Sequence, residues 1–185
     1  MSVPPDIQDI LDQLHAAEQD ARKLVAGLDE GRGAWRPSPG AWRIAECLDH
    51  LAIANRVYLV PMQEVAVRAD AEGRRRRGAA VPGFVGRWFV RLLEPPVGRF
   101  RGKAPRKIRP RTAPTLADAL ASFVASQQEV RDFSGVNANL DLAGVRFKNP
   151  FLRGVRFSLA TGLHVITAHQ RRHLWQAWRV HAAFE

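Results

Sequence analysis

The sequence predicts an all-α protein built as a four-helix bundle. Apolar residues recur at helical spacing in four separate stretches, and glycine- and proline-rich turns divide those stretches. No segment carries a convincing strand pattern, and four amphipathic helices bury their apolar stripes most simply against one another.

The first helix is expected over about residues 5–28, with Ile7, Ile10, Leu11, Leu14, Ala21, Leu24, Val25 and Leu28 in register. Gly27, Gly31, Gly33 and the Pro37-Ser38-Pro39-Gly40 turn end it. A second helix starts near Ala41 with Ile44, Leu48, Leu51, Tyr58 or Leu59, and Met62 on one stripe, and Pro61 should kink or stop it. The third opens at Thr115, a capping residue, with Asp118 favourable in its first turn, and continues through Leu116, Leu120, Phe123, Val124, Gln127 and Val130 to about Asp132. The fourth is expected over about residues 156–183, its inward stripe being Leu159, Leu163, Ile166, Gln170, His173 or Leu174, and Ala177. Polar groups on an apolar stripe demand partners, because burying them unpaired costs a few kcal/mol.

A chain of 185 residues suits one domain, 1–185, with a sizeable core. The net charge of +10 suggests nucleic acid until it is mapped. Fourteen Lys/Arg and only three acids fall between Arg68 and Arg111, while the remainder is near neutral. The excess therefore belongs to a basic insert, 68–113, between the second and third helices. Within it Arg74-Arg75-Arg76-Arg77 reads as a solvated charge run, and residues 84–93 as a short amphipathic helix stopped by Pro95-Pro96. No stretch approaches the roughly 18 apolar residues of a membrane span. With one cysteine, no signal-peptide pattern and no internal disulfide to form, the cytoplasm is the expected compartment.

The residues with the most chemistry are histidines. His169 and His173 stand four apart on the fourth helix, about 40° from each other around its axis, so both imidazoles face one way. A metal held there needs another segment, and His50, in the helical stretch Glu46-Cys47-Leu48-Asp49-His50, is the natural third ligand. Three neutral imidazoles leave positions open for water and substrate, as a catalytic metal requires. Glu46, one turn before His50, is a candidate general base, or equally a helix N-terminal carboxylate. Gln176 is placed to orient His173, to bind substrate, or to satisfy a backbone group. Cys47 reads as a small buried residue, and His15, His164 and His181 as ordinary surface or packing residues. Trp35, Trp42, Trp175 and Trp178 read as packing residues, the first two bracing the turn before the second helix.

Two motifs carry a family resemblance. WRPSPGAWRIAECLDHL at 35–51 resembles the signature of DinB-like, YfiT-type metal-dependent bundles, in which a Trp-containing turn enters helix two and a Glu precedes a metal-binding His by four residues. HQRRHLWQ at 169–176 is similar to that family's last-helix motif. The resemblance implies an up-down-down-up bundle with a divalent metal (Zn, Ni or Fe) on His50, His169 and His173. It also implies a small-molecule substrate, with thiol S-transferases using bacillithiol- or mycothiol-type thiols, isomerases and hydrolases among the relatives. The basic insert has no counterpart in that pattern.

Two functions follow as expectations. One is a metal-dependent thiol transferase or hydrolase acting on a small electrophile. The other is a binding module that docks on nucleic acid or anionic membrane through residues 68–111, where fourteen cations accompany Phe84, Trp88, Phe89 and Phe100. An exposed apolar strip would in addition favour a homodimer.

Overall fold

The computed structural model describes residues 3–96 and 104–183, so Phe100 and its neighbours lie outside the described residues. The elements run α1 (Pro5–Val25), α2 (Glu30–Gly33), α3 (Ile44–Ala71), α4 (Phe84–Leu93), a 3₁₀ turn (Arg106–Ile108), α5 (Leu116–Val136), β1 (Arg146–Lys148), β2 (Arg156–Ser158) and α6 (Leu159–His181). Helix dominates, as expected.

Each long helix begins where its local chemistry favours it. Pro5 opens α1, where a missing N–H costs nothing. Thr115 accepts the Asp118 amide at the start of α5, and Ser158 accepts the Thr161 amide at the start of α6. Glu30 adds a second cap to α5, since its carboxylate takes the amides of Leu116 and Ala117 at 2.8 and 3.3 Å. Gly33 packs so close to Leu116 that a Cβ there would lie 2.9 Å from its side chain, which leaves room only for glycine.

Helix α1 packs on α5 and α6, and α3 packs on the same two. Two apolar clusters result. One gathers Ile7, Ile10 and Leu14 with Leu59, Met62, Val130, Leu159 and Leu163. The other gathers Ala21 and Leu24 with Ile44, Leu48, Leu51, Phe123, Leu174 and Ala177. Along the chain α1 and α6 pass from the first cluster to the second, and α3 and α5 pass the opposite way.

A buried polar layer lies between the clusters, and it holds the partners the sequence demanded. The Gln170 amide donates to Gln127 Oε1 at 2.7 Å and to Asn55 Oδ1 at 3.2 Å. Gln127 in turn donates to the Leu14 carbonyl at 2.9 Å, and Asn55 donates to Ser126 Oγ at 3.0 Å. One connected network thus joins α1, α3, α5 and α6, with Asn55, Ser126, Gln127 and Gln170 all inaccessible to solvent.

Three expectations are corrected and a fourth is narrowed. A hairpin is present, pairing Phe147 with Phe157 in antiparallel register, so α6 begins at Leu159 rather than Arg156. The signal was the polar-Phe-polar alternation in Arg146-Phe147-Lys148 and Arg156-Phe157-Ser158, each too short to stand out. Of the two outcomes expected of Pro61, a kink or a boundary, the boundary is excluded, because burial of Tyr58, Leu59, Met62 and Ala66 around it outweighs one lost backbone bond. Helix α5 continues past Asp132 to Val136. The arginine run is not simply solvated. Arg74 pairs with Asp141, Arg75 with Asp70 and Arg76 with Asp6, while the Arg76 amide donates to the Asn139 carbonyl. No helix among the described residues is long and apolar enough to cross a membrane.

Candidate metal centre

His50 sits in the second turn of α3, whose start is fixed by Glu46. One Glu46 oxygen accepts the Arg43 amide at 2.9 Å and the other accepts the Arg36 guanidinium at 3.2 Å. One Glu46 oxygen therefore caps the helix N-terminus, where a negative charge is favoured, and the other ties Arg36 of the preceding turn to it. His169 and His173 project from adjacent turns of α6 toward His50. The ring centroids form a near-equilateral triangle, 4.9 Å for His50–His169, 4.4 Å for His50–His173 and 4.5 Å for His169–His173. One ligating nitrogen from each ring lies within 4.8 Å of the others.

Hydrogen bonds decide which nitrogens face the centre. His50 Nδ1 donates to the Ile108 carbonyl at 2.5 Å, and His173 Nδ1 donates to Gln176 Oε1 at 3.0 Å. In both rings Nε2 is left with its lone pair. His50 Nε2 lies 3.2 Å from His169 Nε2. Nitrogens roughly 2.0–2.1 Å from a tetrahedral ion are about 3.3 Å apart, so this edge fits a divalent cation without rearrangement.

Burial keeps the imidazoles neutral. His50 is 1 % exposed and its pKa is pushed down to about 4, chiefly by desolvation, although the Ile108 carbonyl and Asp49 pull the other way. His173 falls to about 3, first by burial and then by the charges of His50 and Arg172. His169 lies well below the ordinary histidine value for the same reasons. His169 as a whole residue keeps some exposure, whereas His50 has almost none.

Trp42 closes one side. Its ring lies 4.7 Å from that of His50 and stacks on His173 at 5.6 Å. This corrects the expectation that Trp42 only braces a turn. Trp35 does pack on the core beneath that turn, and Trp178 packs there while donating to Asp20 Oδ1. Cys47 is fully buried, and burial raises its thiol pKa, which suits an apolar filler. His164 bonds the Ala80 carbonyl and His15 faces solvent.

Four contributors escaped sequence reasoning: Ile108, Asp49, Arg111 and Trp42. Asp49 is completely buried, and its two oxygens take the amide and the Nε–H of Arg111 at 2.7 Å each. That clamp ties the end of the basic insert to α3 and delivers Ile108 to His50. A signal was available, since Ile108 is the one isoleucine in a Lys/Arg/Pro-rich connector and is 5 % exposed.

A family model of the DinB superfamily matches residues 13–177, a span that contains Glu46, the three histidines and Gln176. The chain belongs to the DinB superfamily. No curated protein and no solved structure matches it. Members of the DinB superfamily often bind metal, and the three imidazoles are a donor set that could hold one.

Proposed function

We propose that this DinB-superfamily protein is a metal-dependent thiol S-transferase acting on a small electrophilic molecule. The reading rests on one observation: three imidazoles from α3 and α6, held neutral by burial, converge with a ligating nitrogen of each within 4.8 Å of the others. A Zn, Ni or Fe ion on His50, His169 and His173 would supply Lewis acidity that makes a thiol or water nucleophilic near neutral pH. The up-down-down-up bundle topology belongs to the same reading, and the direction in which each long helix crosses the two apolar clusters supports it.

The chain's own residues have separable roles. Ile108 and Gln176 hold His50 and His173 in one tautomer with Nε2 inward. Trp42 excludes water from the His50–His173 side. Glu46 fixes the helix start that carries His50. In the transfer, the thiol proton leaves to solvent, a carbon–sulfur bond forms, and the leaving group departs with the electron pair of the broken bond. Hydrolysis is the same site's reaction when water is the nucleophile.

The test is to offer metal-loaded and metal-stripped protein a low-molecular-weight thiol with a haloaromatic electrophile. Metal-dependent loss of free thiol, with formation of the thioether, is expected. Metal-dependent turnover that ignores the thiol assigns a hydrolase, and no turnover in either form rejects the enzyme reading.

A further inference from the structure

We infer that the outer face of α4 is a docking surface for anionic phospholipid membrane. Helix α4 is firmly seated by its inner side. Gly86 lies against Thr161, where a Cβ would come within 2.5 Å of the hydroxyl, and the Phe89 ring meets Phe157 at 5.1 Å. Just beyond its C-terminus, Glu94 pairs with Arg171, and the Leu92 carbonyl accepts from Arg172. The helix is fixed to α6, yet its other side is exposed.

That side is apolar. Phe84, Val85, Trp88 and Leu92 are 79, 66, 59 and 53 % exposed. Their spacing places them within about 100° of one another around the axis, so they form one strip. Arg91 and Arg87 run along one edge of it, both exposed. Neither pairs with a carboxylate among the described residues, although Arg87 reaches the Pro82 carbonyl. No acidic residue occurs between Arg77 and Leu93. The insert thus divides in two, with Arg74, Arg75, Arg76 and Arg111 held by acids and the arginines beside the strip left uncompensated.

Charge and shape together select the occupant. Aromatic and aliphatic side chains on one face with guanidinium groups at its edge match a helix lying in a bilayer interface, the rings at the acyl boundary and the arginines on lipid phosphates. Ten residues are too few to span, so the helix lies flat. An antiparallel second copy is disfavoured, because that two-fold contact through the strip sets the two Arg87–Arg91 edges side by side. Nucleic acid would use the arginines and leave Phe84, Val85 and Leu92 in water.

The test is co-sedimentation of the full chain with vesicles of phosphatidylglycerol and phosphatidylcholine in equal parts, beside vesicles of phosphatidylcholine alone. Binding is expected to the anionic vesicles, and raised salt should weaken it. Phe84→Ser/Trp88→Ser and Arg87→Gln/Arg91→Gln should each bind at least about tenfold more weakly while keeping parental helicity and melting temperature. Trp88→Ser alone replaces the first double variant if that variant fails to fold. The inference is overturned by no binding to anionic vesicles or by parental binding in the folded apolar variant. It is equally overturned by a parent dimer that this variant dissociates, or by duplex DNA binding that both apolar positions leave unchanged.

Discussion

The Ile108 carbonyl and His50 Nδ1 meet at 2.5 Å across 58 residues of sequence. A segment that reads as a basic loop thereby orients one imidazole of the histidine triad, and Asp49 holds the segment down through Arg111. Replacing Asp49 with Asn removes the buried charge that clamps Arg111 and leaves the three histidines in place. Metal affinity should fall roughly tenfold or more, and stability by about 2–4 kcal/mol. Chelator competition and urea unfolding measure the two effects.

Gln176 makes the matching bond to His173. Gln176→Ala should lower metal affinity about 10–100-fold, as loss of a partner that orients a ligand histidine does elsewhere. Because Gln176 is only half-buried, its melting temperature should change little. Equal metal affinity in parent and variant would show that the bond does not orient the site.

The metal-free protein should lose stability as pH falls below about 6.5. Burial depresses the pKa of His50 to about 4 and of His173 to about 3, so the unfolded chain binds protons first. Stability is full above the unfolded histidine value and declines until pH reaches the folded values. His50 alone accounts for about 2 kcal/mol between pH 7 and pH 5. Urea midpoints in the presence of chelator, compared with those of His50→Gln, isolate this contribution.

Gln127 and Gln170 exchange hydrogen bonds in the layer that joins the four long helices. Gln170→Leu strands Gln127 Oε1 and Asn55 Oδ1 in a dry interior, and should cost about 1–3 kcal/mol. The double change with Gln127→Leu should cost less than the sum of the two single changes, because part of each penalty is the partner left unpaired. Thermal unfolding of the four proteins gives the coupling.

The four long helices were legible because their apolar spacing is regular, and the histidine triad was legible because two of its members share one helix face. The polar positions Gln127 and Gln170 announced that a network must exist, but not that Asn55, on another helix, would complete it. What stayed hidden depends on contacts distant in sequence: Ile108 on His50, Arg111 on Asp49, and Trp42 against two imidazoles. Periodicity reports which face of an element is buried, not which loop folds back upon it. The Phe147–Phe157 pair was missed for another reason, since three-residue strands are shorter than the window that reveals alternation.

Metal analysis of protein purified without a histidine tag or chelator, beside His50→Ala and His169→Ala, tests the account most directly. About one equivalent of zinc, nickel or iron in the parent and none in either variant is the predicted result. Parent protein that stays metal-free after divalent ions are offered, or variants that keep the parent's metal, would contradict it.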